Sequence, residues 1–125
     1  MFKTYHCLQY LILINMVFIS GNAQMNCCSS ITISVDSPDA FSLAGFSIKL
    51  DGKAIGVTNS YGYLQIRPEG ISKGNHKLIA AKKEDDATYY GEGKMEIYCI
   101  NTSNGKDCTF LINANKLQNR DRYNY

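Results

Sequence analysis

The stretch FSIKLDGKAIGVTNSYGYLQI, Phe46 to Ile66, decides how this chain is read. Phe46, Ile48 and Leu50 alternate with Ser47 and Lys49, the period-two pattern of a half-buried strand. Asp51-Gly52 follows directly, a pair favoured in type I′ turns because both central residues need positive φ. The return run, Ala54 to Thr58, turns Ile55 and Val57 inward by the same alternation. Asn59-Ser60 breaks that run, and Tyr63 to Arg67 forms a third strand with Leu64 and Ile66 on one face. The stretch holds no His, no Cys and a single carboxylate, so it reads as scaffold.

The same signals recur on both sides. Upstream, SITISVD sends Ile31, Ile33 and Val35 to one face and Thr32 and Ser34 to the other, and a loop with Pro38 follows. Downstream, RPEGISKGN is a loop by its Pro and Gly content. HKLIAAK then resumes as a strand with His76, Leu78 and Ala80 on one side. KEDDATYYGEG, charged and glycine-containing, reads as a further loop or irregular edge. Two late runs alternate cleanly: Met95, Ile97 and Cys99, then Cys108, Phe110 and Ile112. No window sustains helical periodicity. Seven short strands with regular turn signals predict an all-β fold, a single seven-stranded antiparallel sandwich of the immunoglobulin-like or prealbumin-like kind.

The N-terminus sets the compartment. Lys3 is the one cation of the first ten residues, LILINMVFIS is apolar but for Asn15, and Gly21 and Ala23 stand at small-residue spacing. Residues 1–23 are therefore expected to be a cleaved secretory signal peptide, its apolar run too short for a transmembrane helix. The sandwich is assigned to 24–114 and a polar, disordered tail to 115–125. The expected localisation is secreted, periplasmic or cell-surface, with no transmembrane segment after cleavage. A net charge of +2 over the whole chain gives no footprint for nucleic acid and no basic block for anionic membranes.

Of five cysteines, Cys7 falls in the signal, leaving Cys27, Cys28, Cys99 and Cys108. An even set in a small secreted chain reads as two disulfides. If the last two strands form a hairpin, Met95 faces Ile112, Ile97 faces Phe110 and Cys99 faces Cys108, which places a Cys99–Cys108 bridge within reach. A rival register, turning on Asn104-Gly105, sets Cys99 against Phe110 and sends both late cysteines to Cys27 or Cys28. Alternation alone is compatible with both. A Cys99–Cys108 bridge is the working expectation.

With these elements in place, the chain resembles the secreted β-sandwich modules called carboxypeptidase regulatory-like domains, relatives of the transthyretin-like and PEGA domains. The resemblance rests on Asp51-Gly52, Gly56-Val57-Thr58, Gly62-Tyr63-Leu64-Gln65-Ile66 and Gly74-Asn75-His76-Lys77-Leu78. It covers Ile31 to Lys82. An acidic residue usually follows the G-x-T of the pattern, and Asn59 stands there instead. The cysteines are outside the pattern, and the chain after Lys83 matches nothing in it. The resemblance implies a sandwich without chemistry of its own that accompanies or is attached to another protein.

The residues agree with a non-enzyme. His76 is the one imidazole left after cleavage and lies on the apolar face of a strand, where a satisfied structural histidine is expected. Glu84, Asp85 and Asp86 are consecutive, and consecutive acids do not wrap a cation, so they read as a solvated loop. No catalytic residue, metal set or cofactor is identified. Tyrosine is abundant, and Tyr61, Tyr63, Tyr89 and Tyr90 form the candidate contact surface, since amphipathic rings suit protein and sugar contacts. Asn101-Thr102-Ser103 is a glycosylation sequon on an expected hairpin tip. The reading is a secreted, non-catalytic, disulfide-stapled module for protein–protein or structural interaction at the cell envelope or outside the cell. Its partner is an unknown protein or a cell-surface glycan. The alternative is a small-ligand or carbohydrate-binding module using exposed tyrosines, which requires at least two rings lying coplanar on one exposed face.

Overall fold

A computed structural model describes residues 27–118. The expected signal peptide and residues 119–125 of the expected tail lie outside the described residues. Nine strands occur in chain order: β1 (Cys27–Asp36), β2 (Ser47–Leu50), β3 (Lys53–Val57), β4 (Tyr63–Ile66), β5 (Gly74–Glu84), β6 (Ala87–Ile97), β7 (Cys99–Ile100), β8 (Lys106–Asn113) and β9 (Asn115–Lys116). There is no helix among the described residues. The expected count of seven becomes nine through two short segments, β7 and β9, which alternation is too brief to reveal.

The strands form two sheets. In the first, β4 pairs antiparallel with β1, β8 pairs parallel along the opposite edge of β1, and the short β7 pairs parallel with the start of β1. The second is antiparallel in the order β3-β2-β5-β6-β9. One core lies between their inner faces. Ile31, Ile33, Val35 and Ile112 enter it from the first sheet, and Phe46, Ile48, Leu78, Met95 and Ile97 from the second. Burying each such side chain contributes about 1.5–3 kcal/mol. The architecture is thus all-β and sandwich-like.

The late hairpin expected from alternation does not form. β6 pairs with β5 and β9, and β8 pairs in parallel with β1, so the two late runs belong to different sheets. The Cys99–Cys108 expectation is corrected accordingly: the bridges are Cys27–Cys99 and Cys28–Cys108. Neighbouring strand residues point to opposite faces, so one sheet position anchors two bridges on two sides. A bulge at Ser29 makes this possible. It shifts the β1–β8 register between Cys28 and Ser30, so Cys28 and Ile31 both face the core.

A second bulge corrects the inward assignment of Val57. Ile48 pairs with Gly56 and Lys49 with Ala54, leaving Ile55 as the extra residue. Parity flips beyond it: Val57 is 59% exposed and Thr58 is buried. The Thr58 hydroxyl donates to the Leu43 carbonyl at 2.6 Å and accepts from the Phe46 amide at 3.0 Å, tying the β1–β2 connection to β3. The segment KEDDATYYGEG is also corrected from loop to strand. Asp85, with φ 52, and Asp86 make a two-residue turn between Glu84 and Ala87. Aspartate tolerates that left-handed backbone, so the charges mark a tight turn inside a long hairpin.

The sheets are sewn together at the C-terminal end. β8 lies in the first sheet and β9 in the second, with only the buried Ala114 between them. The Ala114 amide donates to the Asp36 carbonyl at 2.8 Å. Asn115–Lys116, assigned to the tail, is strand and pairs with Tyr89–Tyr90. The crossing brings backbone against backbone: a Cβ on Gly91 would lie 2.3 Å from the Asn113 carbonyl oxygen.

Two predictions follow from this geometry. With Cys27–Cys99 closed, the second bridge adds only the short loop between Cys99 and Cys108. Removing one bridge (Cys28→Ala with Cys108→Ala) should cost about 3 kcal/mol, but removing both about 7 kcal/mol, the scale of a whole domain's stability. Urea unfolding followed by circular dichroism tests this, and equal, additive losses would contradict it. Non-reducing tryptic maps should join the Cys99 and Cys108 peptides through the N-terminal one. Separately, Gly91→Ala should destabilise by about 2 kcal/mol or more, since the obstacle is backbone. An unchanged melting temperature would refute the close crossing.

Candidate functional site

The loop before β4 is built by one side chain. Asn59 Oδ1 accepts from the backbone amides of Tyr61 and Tyr63, both at 3.0 Å. The Gly62 amide donates to the Asn59 carbonyl at 2.9 Å, and the Val35 amide donates to the Gly62 carbonyl at 2.8 Å. Gly62 has φ 84, and a Cβ there would sit 2.6 Å from the Val35 carbonyl oxygen. Where the resembled pattern carries an acid, the Asn59 amide oxygen serves as the acceptor of an Asx-type turn.

This fixed loop presents two rings. Tyr61 is 74% and Tyr63 48% exposed. Their centroids lie 6.4 Å apart with planes inclined by 25°. They stand at one end of the outer face of the first sheet. Across that face Ser34 pairs with both Tyr63 and Leu111, and Thr32 with both Gln65 and Thr109. Ser30 pairs with Asp107. The central strand thus carries short hydroxyl side chains, with the longer Tyr63 and Leu111 on either side of Ser34, and Gln65 and an equally short Thr109 on either side of Thr32. Leu111 is more than half exposed.

Asp107 organises the far end. Its carboxylate accepts from Ser30 Oγ at 2.6 Å, Thr32 Oγ1 at 3.0 Å and Thr109 Oγ1 at 3.2 Å. The Ser30 bond foremost, with those from Thr32 and Thr109, holds its pKa below the ordinary aspartate value against the opposing effect of partial burial. Beyond it opens a shallow cleft of about 410 Å³ lined by Gln65, Arg67, Glu69 and Thr102 among others.

The other two candidate tyrosines do not join this surface. Tyr89 is 6% exposed, in the core, and its hydroxyl donates to the Asp39 carbonyl at 3.1 Å. Tyr90 is half-buried and donates to Glu92 Oε1 at 2.8 Å. The reason is that Tyr89-Tyr90 lie within β6, so alternation turns one ring inward. Asp107, Leu111 and the Ser30–Thr32–Ser34 column were not singled out as site residues from the sequence. Their outward positions were readable from alternation, but their neighbours were not, since β1–β8 pairing joins opposite ends of the chain.

His76 is structural. Its Nδ1 lies 2.6 Å from Asp51 Oδ2 and its Nε2 2.6 Å from the Ser72 carbonyl oxygen. Both partners are acceptors, so both ring nitrogens are placed to donate. The Asp51 hydrogen bond foremost, then the Ser72 carbonyl, raises its pKa above the usual histidine value. Asp51 also accepts from the Lys77 amide, and the His76 bond followed by this one holds its pKa low. Glu84 pairs with Lys82 at 2.8 Å and accepts from the Phe41 amide at 2.9 Å, so it holds the β1–β2 loop. Among the described residues, no group of three or more His, Cys, Asp or Glu side chains is placed to hold a metal ion.

Comparison with known proteins adds little. No family model matches the chain, and no curated protein matches it. A solved structure, that of a DUF4876 family protein from Bacteroides thetaiotaomicron, is similar at 13% identity with a TM-score of 0.42. The similarity covers 70% of this chain and 24% of that one.

A raised histidine pKa fixes the sign of a pH effect. The His76 contribution is fully present below the unfolded-state value of about 6.5 and is lost as pH rises through the higher folded-state value. Thermal stability should therefore fall as pH rises above about 6.5, and His76→Gln should flatten that slope. Parallel melting curves for the two proteins would contradict the assignment.

Proposed function

We propose that this protein is an extracytoplasmic, non-catalytic recognition module of the carboxypeptidase regulatory-like and transthyretin-like kind, a small disulfide-stapled β-sandwich released from a signal peptide. It works at the cell envelope or outside the cell. Its contact surface is the outer face of the first sheet. The observation that carries this reading is the exposed Tyr61–Tyr63 pair, held by a loop whose own hydrogen bonds are complete. A rigid aromatic pair loses little conformational entropy on binding.

Two further features support the reading. Both disulfides suit an oxidising compartment, and no helix among the described residues is long and apolar enough to cross a membrane. His76 has both ring nitrogens engaged by acceptors, so its ring is not placed as a free base.

Cross-linking pull-down from the native secreted and envelope fractions tests the proposal. Tyr61→Ala with Tyr63→Ala should abolish capture of the partner while shifting stability by no more than about 0.5 kcal/mol, as for exposed positions generally. Tyr89→Ala should instead cost about 3 kcal/mol or more as a core truncation. A double variant that still captures its partner at full yield would overturn the assignment of this face.

A further inference from the structure

The ladder between β6 and β9 does not stop at β9. Tyr90 stands opposite Asn115 and Tyr89 opposite Lys116. One residue further on, the Leu117 amide donates to the Thr88 carbonyl at 2.8 Å. The register is constant across all three positions. Carried on unchanged, it sets Gln118 beside Ala87 and Asn119 beside Asp86. Backbone bonds in an antiparallel pair recur at every second residue, so the rung after Leu117–Thr88 joins Asn119 to Asp86.

This line of travel follows the wall of a cleft of about 1110 Å³ beside the β5–β6 turn. The charged side chains lining it are Asp39, Glu84, Asp85, Asp86 and Lys116. Lys82 pairs with Glu84, which leaves three acids to one lysine. Alternation turns the neighbouring Lys83 to the opposite side of β5 from Lys82 and Glu84. The segment that follows Gln118 is NRDRYNY, residues 119–125, with two arginines and one aspartate. Lys116 and Gln118 share one face of the extending strand and both line the cleft. The same alternation gives that face Arg120 and Arg122, and gives Asp121 the other. Same-face positions repeat about every 6.6 Å, so Arg120 follows Gln118 to the level of the exposed Asp85–Asp86 turn. Backbone register and charge thus select the same occupant.

We propose that residues 119–125 dock at this cleft on their own chain. Asn119 adds a rung opposite Asp86, and Arg120 and Arg122 lie on the cleft face, with Arg120 against Asp85 and Asp86. The segment lengthens β9 and covers the start of the β6 edge. An open strand edge is a template for pairing with another chain, and the docked segment occupies this one from within the same molecule. The site is separate from the outer face of the first sheet.

The test is solution NMR on the full chain, isotopically labelled. An amide–amide NOE between Asn119 and Asp86 is expected. The Asn119 amide should exchange with solvent about tenfold more slowly than in a peptide of residues 117–125. Arg120→Gln with Arg122→Gln, and independently Asp85→Asn with Asp86→Asn, should each speed that exchange about threefold, as should about 0.5 M sodium chloride. Asparagine tolerates the left-handed backbone at position 85, so the second variant keeps the turn. An Asn119 amide that exchanges as fast as in the peptide would overturn the docking. An NOE found only between labelled and unlabelled chains in a mixed sample would also overturn it, by giving the edge to a second copy. Exchange unmoved by salt and by both variants would overturn the assignment of the arginines.

Discussion

The pairing on which the structure depends is the parallel union of β1 with β8. It joins the two ends of the folded chain, and everything between them is a closed loop. Such a pairing carries a large entropic cost in the unfolded chain. The two bridges that start from adjacent residues of β1 remove much of that cost, with sequence separations of 72 and 80. Once β8 is held beside β1, its continuation through Ala114 into β9 draws the second sheet onto the first. The core forms beneath this union and the outer face above it.

Local irregularities do work that regular strands cannot. The bulge at Ser29 lets Cys28 share the inner face with Ile31, and the bulge at Ile55 exchanges Val57 for Thr58 in the interior. Each inserts one residue and reverses the alternation beyond it. The residues behind the resemblance to carboxypeptidase regulatory-like domains sit at such places. Asp51-Gly52 is the positive-φ turn, Gly56 adjoins a bulge, and Gly62 packs against Val35. Thr58 ties two connections together. The motif therefore describes how a chain folds back on itself and is silent about ligands.

What this framework leaves outside is the proposed contact face. The same strand carries Ile31, Ile33 and Val35 inward and Thr32 and Ser34 outward, so core and outer face are two readings of one alternation. Asn59 fixes the tyrosine loop without any contribution from a ligand. The loop is thereby held by its own hydrogen bonds.

Much of this protein was determined by local sequence. Alternation placed Ile31, Ile33, Val35, Ile48, Leu78, Met95, Ile97 and Ile112 in the core, because side-chain direction in a strand has a period of two and apolar surface is driven from water. The Asp51-Gly52 turn was legible because few residue pairs tolerate positive φ twice. Tyr61 and Tyr63 were legible as candidates, and their exposure and proximity follow from the loop that holds them. What tertiary structure alone decided was everything that depends on register between distant segments. Whether Cys99 meets Cys108 or Cys27, whether Val57 or Thr58 turns inward, and which of Tyr89 and Tyr90 is buried all change when one residue is inserted or a strand changes sheets. The outer face belongs to the same class, since Ser34 has Tyr63 on one side and Leu111 on the other only because β1 is paired on both edges. Alternation states which way a side chain points; only the packing of whole strands states what stands beside it.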